Sequence, residues 1–154
     1  MFPSHDRSPR STGSIPAYTP PDLDQIKSDY LAKYQTQIDA VKQLYADQIN
    51  KAKQVGMNQL GQVGAIQAKT GLGGSNIATS QDAGVQQNTQ ENISTLNAKE
   101  AQAINDIINN VESKANENYS LKIDAADKIL SNYQKSKLLR DEANKANIQV
   151  YCKS

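Results

Sequence analysis

At 154 residues the chain has the length of one ordinary domain, but its composition excludes an ordinary globular core. Aromatic residues make up 5%, Trp is absent and Phe occurs once, so few side chains are large enough to offset the entropy of ordering a backbone. The formal charge of +1 excludes the strong global field by which a protein holds nucleic acid or an anionic membrane. Gln and Asn number 16 and 14, and the apolar residues lie among them as thin stripes. That pattern predicts long helices stabilised by partner helices.

Residues 1–18 contain Pro3, Pro16, four Ser, Gly13 and no hydrophobic period, which predicts an extended or disordered arm. Met1 to Ser14 has no apolar run, so no signal peptide is expected. Arg7 and Arg10 are the arm's only Lys or Arg. Two arginines are too small a footprint for a nucleic-acid site; the arm is expected either to be a free tail or to lie along a neighbouring subunit, with this pair as its contacts.

Thr19-Pro20-Pro21-Asp22 reads as a helix start, with Thr19 as cap and Pro20 at the first helical position. The first helix is expected over 19–70, with a seam of Leu23, Ile26, Tyr30, Tyr34, Ile38, Val41, Tyr45, Ile49, Ala52, Gly56, Leu60 and Val63. From Ile38 the steps run 3-4-4-3-4-4-3, an eleven-residue repeat of about 3.67 residues per turn, which predicts a nearly straight or slightly right-handed coil. Toward its end the helix carries Gly56, Gly61 and Gly64, and between Lys53 and Asp82 the only charge is Lys69. Glycines inside a helix cost about 0.5–1 kcal/mol each, so these three mark either close helix packing or a special tip.

The tip is Gly71-Leu72-Gly73-Gly74-Ser75-Asn76. Gly71 suits the left-handed residue that closes a helix, with Leu72 packing back on the last turn, and Ser75 suits the cap of the next. A second helix is expected over 77–147, followed by a tail over 148–154. Its seam runs Val85, Ile93, Leu96, Glu100, Ile104, Ile107, Val111, Ala115, Tyr119, Ile123, Ala126, Leu130, Tyr133 and Leu138, with steps of 3-4-4-3-4-4 from Ile93 to Ala115. One period shared on both sides of a short Gly-rich turn predicts an all-α fold, a long antiparallel helical hairpin with coiled-coil-like packing. The second helix is the longer, and its overhang around Leu121 to Lys145 leaves Ile129, Leu130, Tyr133, Leu138 and Leu139 without a partner from the first. Those five are the expected oligomer interface. Charge divides the second helix lengthwise: Asp82 to Glu117 carries a net −4 and Lys122 to Lys153 a net +3, which either sets register between subunits or marks solvated faces.

Catalytic parts are missing. His5, the single histidine, lies in the arm, away from anything that would make it a metal ligand or a base. Cys152, the single cysteine, has no histidine near it in the expected fold to activate a thiolate. The glycine-rich tip lacks the Lys-Ser/Thr ending and preceding strand of a P-loop, and Glu112 and Glu117 lie on a solvated helix face. No enzyme activity, cofactor or metal is expected.

The Pro-containing arm, the Gln- and Tyr-rich helix, the Gly71-Leu72-Gly73-Gly74-Ser75 tip and the run Ala101-Gln102-Ala103-Ile104-Asn105-Asp106-Ile107 together resemble small helical virion proteins of tailed bacteriophages. The resemblance covers roughly Tyr30 to Glu117. It implies a structural, multi-copy protein of the virion (a tail, connector or internal component) whose partners are further copies of itself and other virion proteins. The chain has only three Arg, against the Arg-richer helices of that family, which speaks against an ejected, DNA-contacting role. Two alternatives stay open at this point. A membrane-active or channel-forming protein would insert the uncharged stretch 55–81, and a secreted helical-hairpin effector or adaptor would have the same length, without the Trp that often marks its turn.

Overall fold

The computed structural model describes residues 19–152. Among them helix accounts for 93% and no strand is present. The helices are α1, Leu23–Thr70, and α2, Asn76–Cys152. The protein is an all-α helical hairpin.

α1 begins three residues later than the Thr19 cap implies. A proline disfavours helical backbone in the residue before it, so Pro20 excludes Thr19 and Pro21 excludes Pro20. Asp22 therefore stands at the N-cap position, with Asp24 in the first turn, where carboxylates favour the positive end of the helix dipole. No proline follows Pro21, and each helix runs unbroken. At the far end α2 continues through Ile148, Val150 and Tyr151 to Cys152, so the tail expected from residue 148 is helical instead: no glycine or proline stops it. Asn76, expected in the turn, is the first residue of α2.

Asp24–Asn116 forms one compact unit, in which α1 and α2 pack antiparallel. Gln67 meets Ala78, Gly56 meets Thr89 and Tyr34 meets Lys114, so numbers fall on α1 as they rise on α2. All twelve α1 seam positions expected from Leu23 to Val63 are buried or half-buried, as are the α2 positions from Val85 to Ala126. The core is correspondingly thin: Ile26, Ile38, Ala78, Val111 and Ala115 are its buried apolar residues. The outer face holds itself by local amide–carboxylate bonds one turn apart. Gln25 donates to Asp29 (2.9 Å), Gln35 to Asp39 (2.9 Å), Gln43 to Asp47 (3.0 Å) and Gln87 to Glu91 (3.0 Å). Such pairs contribute about 0.2–0.5 kcal/mol each, a useful supplement in a helix with little core.

From Glu117 onward α2 belongs to a second unit. There Ile123, Ala126 and Tyr133 are half-buried, while Leu121, Ile129, Leu130, Leu138, Leu139 and Ile148 are exposed.

Candidate functional site

Each residue of the turn has a separable role. Gly71 has φ +70°, the left-handed conformation that glycine adopts without penalty. The amide of Leu72 donates to the carbonyl of Gln67 at 3.0 Å, the six-to-one bond of a Schellman cap. Next, the amide of Ser75 donates to the carbonyl of Leu72 at 3.0 Å. Gly74 has φ +80° whereas Gly73 has no positive φ, which identifies Leu72 to Ser75 as a type II turn, with its obligatory glycine at the third position. Ser75 Oγ accepts from the amide of Ala78 at 3.1 Å, capping α2. Gly71, Gly74 and Ser75 shape the turn; Gly73 only passes through it.

Next to the turn the seam becomes polar. Gln67 is 7% exposed, and its Nε2 faces the Ala78 carbonyl (3.3 Å), Gln81 Oε1 (3.2 Å) and Asp82 Oδ1 (3.4 Å). A single buried amide in an apolar seam fixes register at some cost in stability. Here it aligns the two helices at the point where the turn joins them.

Toward the tip, at Gly56, the helices approach closely. A Cβ built on Gly56 would lie 2.4 Å from Thr89 Oγ1 and 2.8 Å from its Cγ2, so any side chain here forces Thr89 to shift. Thr89 is pinned in turn, with Oγ1 donating to the Val85 carbonyl at 2.8 Å. Gly61 and Gly64 lie off the seam, exposed, with nothing within 4 Å of where a Cβ would stand; close packing within the hairpin accounts for Gly56 and not for them. Nearer the base, Lys114 Nζ donates to Tyr34 Oη. Its 5.1 Å separation from the ring centroid is reached by way of that hydroxyl, at the ring edge, so the contact is a hydrogen bond rather than a cation–π stack.

Beside Gly56 the two helices leave a cleft of about 380 Å³ whose walls include Val55 and Gln59 from α1 and Asn88, Asn92 and Lys99 from α2. Val55 belongs to a row that the seam reading misses. Leu44, Val55 and Ile66 are 54%, 54% and 61% exposed and stand eleven residues apart, three turns at about 3.67 residues each, hence on one face. Each immediately precedes a seam residue (Tyr45, Gly56, Gln67). Ile77, 56% exposed, precedes the seam residue Ala78 in the same way, which in an antiparallel pair puts it on the same flank. The signal for this row was the eleven-residue spacing itself, applied to positions beside the seam.

In the distal unit the five expected interface residues do not share a face. At about 100° per residue, Ile129, Leu130 and Tyr133 lie with Ile123 and Ala126, whereas Leu138 and Leu139 fall about 140° and 120° from Tyr133 on opposite sides. A continuous apolar stripe therefore ends at Tyr133. Arg7 and Arg10 lie outside the described residues.

The chain matches no protein-family model. No curated protein and no solved structure matches it either. Among the described residues no three His, Cys, Asp or Glu side chains gather into a metal-binding group, and no helix is long and apolar enough to cross a membrane. Cys152 is exposed.

Proposed function

We propose that this chain is a non-enzymatic structural protein that self-assembles in many copies through helix packing, and that it serves as a component of a phage virion. One observation carries the assembly reading. The apolar seam is covered where two helices run together, whereas beyond Glu117 Ile129 and Leu130 of the same helix are 60% and 51% exposed. An apolar stripe without a partner is a binding surface for another chain. A second copy is the economical partner, because the thin core leaves helix packing as the main source of stability. The virion placement rests on the resemblance of the tip and of the Ala101 to Ile107 run.

Sedimentation velocity of the purified chain across a concentration series tests the assembly. Reversible association is expected, and the triple variant Ile129→Ser, Leu130→Ser, Tyr133→Ser should sediment as a monomer. A wild type that stays monomeric throughout removes the reading. Quantitative mass spectrometry of purified particles tests the placement, since a structural component should be present at many copies per particle.

A second reading has one observation in its favour. Ile66 and Ile77 are exposed in a stretch whose only charge is Lys69, as a tip that inserts into a bilayer requires. Liposome flotation decides it, and absence of binding to both neutral and anionic vesicles removes it.

A further inference from the structure

We propose that residues 15–18 of the chain's own arm dock on the apolar stripe of distal α2 around Leu130 and Tyr133, and there compete with a second copy. This deepens the self-assembly reading and rests on it. The stripe loses its partner helix at the point where the arm is attached. Leu23, the first residue of α1, is half-buried and belongs to the same compact unit as α2 from Glu117 onward. It stands eleven residues before Tyr34, whose partner on α2 is Lys114. Its own place beside α2 is therefore about eleven residues beyond Lys114, near Ala125. Leu130 and Tyr133 lie about 8 and 12 Å further along the helix at 1.5 Å per residue. An extended chain covers up to about 3.4 Å per residue, so Tyr18 and Ile15 reach up to about 17 and 27 Å from Leu23. Both can lie on the stripe.

The arm is outside the described residues, and its sequence and point of attachment select it as the occupant. Between Phe2 and Ile15 it has no Ala, Val, Ile, Leu, Met, Tyr or Cys, whereas Ile15-Pro16-Ala17-Tyr18 is apolar throughout. Apart from Met1 and Phe2, its large apolar residues are thus gathered within reach of the stripe. All five prolines of the chain fall at Pro3, Pro9, Pro16, Pro20 and Pro21. Each fixes its own φ and disfavours helix in the residue before it. They suit the segment to an extended strap rather than a third helix, with less conformational freedom to lose on docking. The tether is residues 19–22, and a short tether holds a segment at its site at an effective concentration on the order of mM. A second copy at micromolar concentration displaces it only through a larger contact. An arm docked about nine-tenths of the time leaves the stripe open in about a tenth of chains. The apparent dissociation constant for a second copy then rises about tenfold for each stripe the contact uses.

Full-length variants test both halves of this. In the dilute monomer, with Cys152→Ser removing the native thiol, a spin label at Ser14→Cys reports the mobility of the arm. The label should be slowed, and Leu130→Ser with Tyr133→Ser should free it. A label equally mobile in both chains would overturn the docking, whatever the protein does at higher concentration. Sedimentation velocity reads the competition: Ile15→Ser with Tyr18→Ser should self-associate at about tenfold lower concentration than the wild type. Circular dichroism melts confirm that each variant folds. Unchanged association would overturn the arm as competitor, and weaker association would overturn it in favour of an arm that clasps a neighbouring copy. A wild type and an arm variant that both stay monomeric would remove the self-assembly reading and the competition with it, leaving the docking to stand or fall on the label.

Discussion

Gly56 shows how little room the hairpin has to spare. Alanine is the better helix former by about 1 kcal/mol, so replacing an interior glycine ordinarily stabilises a helix. At Gly56 the added methyl would meet Thr89, a β-branched side chain with few rotamers that is already bonded to the Val85 carbonyl. Overpacking typically costs about 1–3 kcal/mol. Gly56→Ala should therefore destabilise by about 1–2 kcal/mol in thermal melts, and Gly56→Ala with Thr89→Ala should recover most of the loss. Strictly additive effects would show that the two residues do not touch. Gly61→Ala and Gly64→Ala should each stabilise by about 0.5–1 kcal/mol, because nothing stands where their methyls would go. The turn divides in the same way. Alanine at Gly71 or Gly74 is forced into positive φ, at about 1–2 kcal/mol each, whereas Gly73→Ala should leave the melting temperature unchanged or slightly raised. Equal losses at all three would rule out the type II turn.

At the level of the element, the eleven-residue period is the organising rule. Deleting residues 48–58 from α1 together with 87–97 from α2 removes one whole period from each arm, and takes Gly56 and Thr89 out together. The shortened hairpin should still unfold cooperatively with its helical content per residue unchanged. Deleting 48–56 with 89–97 turns the tip half of each seam by about 160° relative to its base half, and that chain should lose its cooperative transition. Equal stability of the two deletions would mean that the period does not organise the pairing. The same period explains what could be read without coordinates. The seam was legible wherever apolar residues alternate with Gln, Asn and charge, from Leu23 to Val63 and from Val85 to Ala126. It was not legible at Gln67, Ala78 and Thr89, where polar or small side chains hold seam positions and only the count of residues marks them. The helix start was misplaced because Pro20 suits a first helical position in isolation but is itself followed by Pro21. Leu138 and Leu139 looked like interface residues from hydropathy alone; their angular positions separate them from Tyr133.

For the whole molecule, a thin core and exposed apolar residues on the distal part of α2 are the features on which the proposed self-assembly rests. The tip keeps its geometry through backbone bonds and one buried amide, so the proposed self-assembly requires no opening of the hairpin. That closed state within the assembly is the central claim, and an interspin distance tests it most directly. With Cys152→Ser removing the single native thiol, spin labels at Gln37→Cys and Asn110→Cys occupy exposed sites nearly opposite each other in the register set by Gly56 and Thr89. Labelled chains diluted into an excess of unlabelled protein under assembling conditions report distances within a single copy. A closed hairpin has axes about 8–10 Å apart and should give a narrow distribution near about 20 Å once the labels' own reach is added. A hairpin opened into one continuous helix would separate the two sites by about 110 Å, beyond the range of the measurement, and disappearance of the short distance on assembly would contradict the account.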